Sequence, residues 1–417
     1  MFGKLIPQKI GFIALTMVLL SACGGNDDES SNNTLADASS FKALNTYNET
    51  LASCVSAEDS SSRCDLNTLP LIGMEVSDPG VDHIMDRVVV SHDWMGQRFS
   101  EVLNTLPEQM LPLFRAVTAI VIDSDIRPAY YSIATGAIYL DPAFLWLNTE
   151  EHSTINTKED YRAGFDDPLA FRQVSRYVRN GSTFADYPAL TDRHQRTIKD
   201  ITPLVARMLL HELGHANDLF PPNSYDHLYP HQNVEQAAYD LSEQWVSNRL
   251  SNHKPLTSET MFSLAGVIYN GSDPSFADLE IVASEVGDHF KHGGAADQYA
   301  YYSQYEDTAM LFETAMMKYL FNADYELAFV STPDNASHCD SYDIGWGVRN
   351  RIGDAQVKQR TLFVTQSMLP AEKFSDFFDS LFPPMEISGD WCLGNEDVTD
   401  SANTGTVSPY ATLRPYL

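Results

Sequence analysis

Two histidines and a glutamate near the middle of the chain have the types and spacing of a catalytic zinc site. The segment 204–220 reads LVARMLLHELGHANDLF and contains the HExxH pattern as His211, Glu212 and His215. Residues four apart share one face of a helix, so the two histidines can hold one Zn²⁺ ion. Glu212 follows directly and is a candidate general base for a water molecule. A catalytic zinc also needs a third protein ligand and an open position.

Asp218 lies on the same face of this predicted helix as the two histidines. It follows His215 by one turn, so it could orient a ligand imidazole from behind. Leu204 and Met208 continue the face towards the amino end, which indicates a buried helix. Two histidines on so apolar a helix need polar partners. The alternative to a metal site is a pair of core histidines that are hydrogen-bonded to other groups.

Three downstream glutamates are candidates for the third ligand. Glu235 comes 20 residues after His215. Glu306 lies in the segment 299–313, which reads YAYYSQYEDTAMLFE, and Glu313 follows it by two helical turns on the same face. Glu306 and Glu313 sit on an otherwise apolar helix, where a buried carboxylate needs a cation. Glu313 is therefore the backup for Glu306.

The HExxH segment resembles the active-site helix of the zincin metallopeptidases, which lies beside a small sheet. The resemblance covers mainly residues 117–320. It implies an edge strand that binds the substrate backbone, and the predicted hairpin at 130–140 is the candidate. The extended metzincin form is absent, because Asp218 stands in place of its Gly and Pro221 in place of its third His. A gluzincin-like glutamate is therefore the expected third ligand.

The two main candidates resemble different branches of that family. Glu235 has the separation typical of thermolysin-like enzymes, but Tyr239 replaces their companion Asp. The residues around Glu306 are similar to the third-ligand helix of the anthrax lethal-factor-like zincins. That resemblance implies Glu306 as the zinc ligand, Tyr299 as the residue that stabilises the transition state and Asp307 as support behind the ligand. The match departs at Met310, where an acidic residue is common. We favour Glu306, because more of its neighbours fit the mechanism.

The elements that would position these residues form a helix-rich α+β fold, a zincin-like core with a small antiparallel sheet and extra terminal regions. The run VTAIVI at 117–122 predicts a buried strand, and two short apolar segments around Thr135-Gly136 predict the hairpin. Helical patterning dominates from 201 to about 327. We expect five regions: 1–22 a lipoprotein signal peptide, 23–40 a disordered polar tether, 41–200 an N-terminal region with the substrate-side sheet, 201–330 the helical zinc-binding region, and 331–417 a loop-rich C-terminal region.

The first residues have the layout of an export signal. Lys4 and Lys9 precede the apolar stretch 10–20, and small residues lead to Cys23 in the sequence LSAC. This resembles the bacterial lipobox, which implies that Cys23 is lipidated and becomes the first mature residue. Gly24 in place of Asp implies sorting to the outer membrane. The expected location is the bacterial cell envelope, with membrane contact through the lipid alone.

Four further cysteines form an even set, which in an exported chain indicates disulfides. Three pairings are possible. The simplest is Cys54–Cys64, which is local, together with Cys339–Cys392. No CxxC pair is present, so a zinc–thiolate site is a poor alternative.

The formal net charge of −30 excludes a general nucleic-acid binder, because a polyanion would be repelled. The sequence also has no GxSxG motif and no Gly-rich phosphate loop. We therefore expect a lipid-anchored, single-zinc metallopeptidase that acts on a peptide or protein substrate. Two alternatives stay open: a non-enzymatic surface lipoprotein with a structural zinc, and a zinc hydrolase with a non-peptide substrate.

The lipobox predicts that replacing its cysteine releases the protein from membranes. Cys23→Ser removes the thiol that would be acylated, so the variant should move from the membrane to the soluble fraction. Ser21→Ala, which keeps the small residue and the cysteine, is the control. Fractionation followed by immunoblotting measures the distribution. Equal membrane retention of Cys23→Ser and Ser21→Ala would contradict the lipid anchor.

Overall fold

The fold combines many helices with two sheets, so the coarse prediction of an α+β chain is confirmed. The computed structural model describes residues 35, 38–42, 46–57, 61–185, 193–332 and 342–391. The helices are α1 (Leu51–Val55), α2 (Ile72–Glu75), α3 (Val81–Met85), α4 (Asp93–Leu103), α5 (Thr149–His152), α6 (Ile198–Leu219), α7 (Val234–Asp240), α8 (Val246–His253), α9 (Glu259–Asn270), α10 (Phe276–Glu280), α11 (Ala283–Lys291), α12 (Gln304–Phe321), α13 (Ala355–Met368) and α14 (Ser375–Ser380). The strands are β1 (Ser39–Ser40), β2 (Val88–Val90), β3 (Ile120–Ile122), β4 (Tyr130–Ser132), β5 (Ala137–Leu140), β6 (Phe171–Arg179), β7 (Ser182–Ala185), β8 (Asp324–Ser331), β9 (Asp343–Arg349), β10 (Met385–Glu386) and β11 (Gly389–Asp390).

The N-terminal sheet has the order β1-β2-β3-β5-β4 and is mixed rather than antiparallel. Strands β2, β3 and β5 run parallel to one another, whereas β4 and β1 are antiparallel edge strands. The predicted hairpin is confirmed as β4 and β5, and Gly136 supplies the positive φ of 70° in the connection. The expectation of a purely antiparallel sheet was wrong for this sheet, because β2, β3 and β5 are joined by crossovers.

The second sheet is antiparallel and has the order β10-β9-β8-β6-β7, with β11 also paired to β9. Two of its strands lie where the sequence pattern was weak. Strand β6 reads FRQVSRYVR, so polar residues interrupt its apolar ones. Strand β9 belongs to the region after residue 331, which was expected to be loop-rich but also contains α13 and α14. These polar strand residues line a cleft or form ion pairs, so simple alternation does not mark them.

Helix α6 carries the HExxH pattern, and its ends follow from local chemistry. At its start the Asp200 carboxylate accepts a hydrogen bond from the Thr197 N–H at 2.8 Å, which satisfies a free backbone donor. It ends at Leu219, shortly before Pro221, which cannot continue a helix. The predicted helix at 204–220 is therefore confirmed.

Helix α12 packs against α6 at a point where both have small residues. A Cβ atom added at Gly214 of α6 would lie 3.4 Å from the Cα atom of Ala309 on α12. The two helix backbones therefore approach closely, so that side chains of α6 and α12 next to this contact can reach one another. Ser303 begins α12 by accepting from the Glu306 N–H, and Asn322 ends it with a φ of 52°.

One hydrophobic cluster connects the three folded regions that the sequence suggested. It runs from Leu66 to Phe378 and includes residues of both sheets, α6, α12 and α13. The C-terminal part is fastened by Arg360 of α13, which forms a buried bidentate ion pair with Asp307 of α12. The division at residues 200 and 330 therefore does not separate independent cores.

The terminal predictions are only partly covered by the described residues. Cys54 and Cys64 form the expected disulfide. Cys23, Cys339 and Cys392 lie outside the described residues. The tether was expected to extend to residue 40, but Ser39–Ser40 already pair with β2 as an edge strand. None of the helices in the described ranges combines the length and the apolar composition that a membrane span requires.

The buried pair between Asp307 and Arg360 predicts a large stability effect. Arg360→Met keeps an unbranched side chain but leaves the Asp307 carboxylate buried without its cation, so unfolding should become easier by about 3–5 kcal/mol. Lys42→Met, which removes two surface ion pairs, to Asp82 and to Asp86, should lower the free energy of unfolding by less than about 1 kcal/mol. Denaturant titration measures both. Similar stability of the two variants would show that the buried pair does not fasten α13.

Candidate metal centre and cleft

The structure brings three potential metal ligands together where α6 crosses α12. The Nε2 atoms of His211 and His215 lie 3.0 and 3.4 Å from the same Oε2 atom of Glu306. All three ligand atoms lie within 4.8 Å of one another. Glu306 is 1% exposed, so it has lost its water shell and depends on these neighbours.

The donor set fits a tetrahedral zinc ion. Two ligand atoms bonded to such an ion at 2.0–2.1 Å lie about 3.3 Å apart, close to the distances from Glu306 to the two histidines. Two imidazoles and one carboxylate are also a known catalytic combination. The neighbouring Glu212 is buried, and its Oε2 atom has no hydrogen-bond partner among the described residues. A buried acceptor without a partner indicates a position beside the histidines where a hydrogen-bond donor can bind.

Glu313 lies on the other side of His211. Its Oε2 atom is 3.0 Å from His211 Nδ1. Its Oε1 atom accepts hydrogen bonds from Tyr177 Oη at 2.8 Å and from Arg207 Nε at 2.9 Å. This arrangement fixes the ring orientation of His211 and leaves its Nε2 directed at Glu306. The backup ligand of the sequence analysis therefore has the geometry of a group that orients a ligand.

The local charges favour ionised carboxylates at this crossing. Burial alone would raise the pKa of Glu306, but the charges and hydrogen bonds of His215 and His211 hold it well below its usual range. Burial likewise opposes ionisation of Glu313, and Arg207 together with His211 lowers its pKa to about 2. Burial lowers the pKa of His211, but its bonds to Glu306 and Glu313 outweigh this effect and raise it. Glu306 is thus available as an anion to bind a cation, and Glu313 is available as an anion to accept from His211 and Arg207.

Glu212 differs from these two carboxylates. Burial raises its pKa, and the nearby histidines only partly oppose this effect. It therefore holds a proton more readily than an exposed glutamate, as a group that accepts and returns protons should.

Asp218 and Asp307 occupy positions behind the cluster. Asp218 accepts from the Ser247 N–H at 2.7 Å, while its Oδ2 atom is buried without a hydrogen-bond partner among the described residues. Burial raises its pKa to about 6, and His215 acts in the opposite direction. Its influence on His215 is thus through charge. Both oxygens of Asp307 are held by Arg360, so Asp307 supports α12 rather than an imidazole.

Glu235 lies apart from the cluster. Its side chain is 31% exposed and forms an ion pair with Arg63. The structure therefore brings Glu306, and not Glu235, to the two histidines. The spacing of 20 residues after His215 does not by itself predict a metal ligand. The turns that follow α6 place α7, and with it Glu235, next to Arg63.

A cleft of about 550 Å³ opens beside the cluster. Its wall includes His211, Glu212 and Tyr299. The Tyr299 ring is stacked 6.1 Å from the His211 ring, and Arg162 Nη1 lies 3.5 Å from the Tyr299 hydroxyl. The phenol is therefore placed beside the histidines and close to a positive charge.

Sequence reasoning missed the residues that contact Glu313 and Tyr299. Arg207 precedes His211 by one helical turn, so its position on the same face was a usable signal. Tyr177 comes from β6, a strand whose pairing partner β8 is more than 140 residues away in sequence. Arg162 lies in a segment without regular structure. Neither position carries a local pattern that points to the site.

No protein-family model matches the chain, and no match is found among the curated proteins or the solved structures.

The geometry predicts a graded loss of zinc affinity. Glu306→Ala removes a ligand, so the dissociation constant for zinc should rise more than about 100-fold, whereas Glu313→Ala disturbs only the orientation of His211 and should raise it about 10- to 100-fold. Glu235→Ala should leave it unchanged within about threefold, because Glu235 is remote from the histidines. Competition with a chromogenic chelator gives the three constants. Loss of zinc in Glu235→Ala with retention in Glu306→Ala would reverse the assignment.

Proposed function

We propose that the chain is a single-zinc metallopeptidase that hydrolyses peptide bonds. The observation that carries this proposal is the convergence of His211, His215 and Glu306 beside the orphaned carboxylate oxygen of Glu212. A structural zinc site is usually closed by four protein ligands. Here the ligand His211 and the neighbouring Glu212 line a cleft of about 550 Å³, which favours an open position and catalysis over a purely structural role.

The three ligands hold the metal, and Glu313 keeps His211 in the required orientation. When bound, zinc would polarise the substrate carbonyl and increase the acidity of water. The charge of Glu306 compensates part of the charge of the ion, so the site can stay buried.

Glu212 is the proposed general base. Its unpartnered Oε2 atom is available to accept a proton from the attacking water. The proton then returns from the same carboxyl group to the leaving nitrogen of the cleaved peptide. Because burial raises its pKa, Glu212 accepts the proton of the water more readily than an exposed carboxylate would.

Tyr299 is the proposed donor to the oxygen of the scissile carbonyl, on which negative charge develops. Its hydroxyl lies near Arg162, and its ring stacks beside His211. A donor already in place costs little reorganisation during the reaction. The backbone N–H of Tyr299 is bound to Asp297 at 2.7 Å, which restrains the position of the residue.

An extended peptide is the substrate class that the cleft supports best. Strand β4 is an edge strand of the N-terminal sheet and packs against α6. Pro128 and Ala129, which immediately precede β4, line the cleft. An edge strand offers backbone donors and acceptors to an added strand, so a peptide can bind there by β-strand addition.

The proposed location follows from the sequence pattern around Cys23. An exported, lipid-anchored enzyme in the bacterial cell envelope, sorted to the outer membrane, accounts for the apolar stretch and the lipobox-like LSAC. The disulfide between Cys54 and Cys64 supports an oxidising compartment.

The proposal predicts that Glu212→Gln separates metal binding from hydrolysis. The amide cannot accept the proton, so cleavage should fall by several orders of magnitude, at least about 10³-fold. Zinc content, measured by mass spectrometry, should stay at one ion per chain, because Glu212 is not a ligand in this arrangement. Glu235→Gln is the control with the same chemical change away from the cluster. An unfolded protein mixture analysed by peptide sequencing serves as substrate. Wild-type-like cleavage by Glu212→Gln, or a zinc-loaded wild type that cleaves nothing in the mixture, would overturn the proposal.

A further inference from the structure

One carboxylate in the wall of the cleft has no role in the chemistry above. Asp297 is 2% exposed and lines the cleft together with Gln173, Tyr269 and Tyr325. We propose that Asp297 binds a primary ammonium group of the substrate, so that the cleft selects peptides with a lysine side chain or a free N-terminus at one subsite. The inference rests on the proposed peptidase function for the nature of the substrate.

Apart from Glu212, to which the proposed mechanism gives the role of base, the other acidic side chains and the arginines of the cleft have protein partners of opposite charge. Each of its three arginines has a carboxylate of its own. The pairs are Arg127 with Asp141 at 2.8 Å, Arg162 with Asp160 at 2.6 Å, and Arg207 with Glu313 at 2.9 Å. Asp166 also lines the cleft, and it forms an ion pair at 3.1 Å with Arg172, which does not line it. Among the described residues, Asp297 forms no ion pair, so its charge is left for a ligand to neutralise.

The direct partners of Asp297 are neutral donors. Its Oδ2 atom accepts from the Tyr325 hydroxyl at 2.7 Å and from Gln173 Nε2 at 2.9 Å, and its Oδ1 atom accepts from the Tyr299 N–H at 2.7 Å. These bonds fix the direction of the carboxylate but supply no full positive charge. A buried carboxylate without a cation is costly, and an entering ammonium group would remove that cost. The remaining lone pairs can accept from it.

The surrounding wall suits an alkyl chain that ends in an ammonium group. Phe171, Ile268 and Tyr269 supply apolar surface in the same cleft. The Tyr269 hydroxyl donates to Gln173 Oε1 at 2.8 Å, so the glutamine is held in the orientation that donates to Asp297. Lysine combines a flexible apolar stem with a compact charge. An acidic side chain would be repelled by Asp297.

The purely structural alternative is that Asp297 only restrains the segment that carries Tyr299. Asp297→Asn separates the two roles. An asparagine oxygen can still accept from the Tyr299 N–H, and Tyr325 and Gln173 can reorient their polar atoms. The variant therefore loses the charge and keeps the restraint.

The experiment measures peptide binding without turnover. The full-length chain with Glu212→Gln and zinc is titrated with fluorescent, end-capped pentapeptides in which one lysine is moved through the five positions. Norleucine and ε-acetyl-lysine replace it in matched peptides, and a peptide with a free N-terminus and no lysine tests the second source of ammonium. The peptide with lysine at one of the five positions, or the peptide with a free N-terminus, should bind roughly 10- to 100-fold more tightly than the matched peptide that lacks the ammonium group.

Adding Asp297→Asn to this chain should abolish the preference. Asp166→Asn, which removes the same charge from the same cleft but from an existing ion pair, should preserve it within about threefold. The inference fails if no ammonium group is preferred, if Asp297→Asn keeps the preference, or if Asp166→Asn removes it equally. Thermal unfolding checks that the variants fold. If Asp297→Asn does not, the comparison of lysine with ε-acetyl-lysine in the chain with Asp297 intact still decides whether an ammonium group is selected.

The outcomes separate this inference from the proposed function. If the wild type cleaves nothing but the chain binds an ammonium group through Asp297, the proposed subsite stands and the proposed peptidase function is rejected. Cleavage by the wild type with no preference for an ammonium group would retain the peptidase and reject the subsite.

Discussion

Two buried carboxylates on α12 set the requirement that the rest of the site satisfies. Glu306 and Glu313 are each about 1% exposed, two helical turns apart, on a helix that is otherwise mostly apolar. A carboxylate in such a place is stable only next to a positive or hydrogen-bonding group. Helix α6 meets this need with His211, His215 and Arg207, and the small contact between Gly214 and Ala309 lets it approach closely enough.

The two sheets contribute to the site in different ways. The antiparallel sheet supplies Tyr177 and Tyr325, whose hydroxyls bind Glu313 and Asp297. Strands hold such polar atoms more firmly than loops would. The N-terminal sheet contributes Pro128 and Ala129, which line the cleft immediately before the edge strand β4. Both sheets therefore supply residues to the lining of the cleft.

The features that sequence could predict are those with local signatures. The HExxH helix, the hairpin at Thr135-Gly136 and the Cys54–Cys64 disulfide each depend on a few adjacent residues, and each is present. The region of Glu306 was also identified, because its neighbours form a pattern. Distant pairings were not accessible. Strand β6 reads as polar because Arg176 pairs with Glu326 of β8, and the Asp307–Arg360 pair joins helices that no short motif connects. The role of Glu313 depends on which His211 nitrogen faces it, which only three-dimensional packing determines.

The position of Arg360 has a consequence for how small a working unit of this protein can be. Besides Asp307, its guanidinium donates to the carbonyl oxygens of Lys254 and Gly294. One side chain from α13 thus joins three earlier segments, and one of its partners is the immediate neighbour of Glu306. A fragment that stops at residue 330 would contain every residue of the histidine–glutamate cluster, yet it would lack strand β9 and the cation that neutralises Asp307. The cluster residues alone therefore do not amount to a separable folding unit, and the minimal folded unit extends at least through α13.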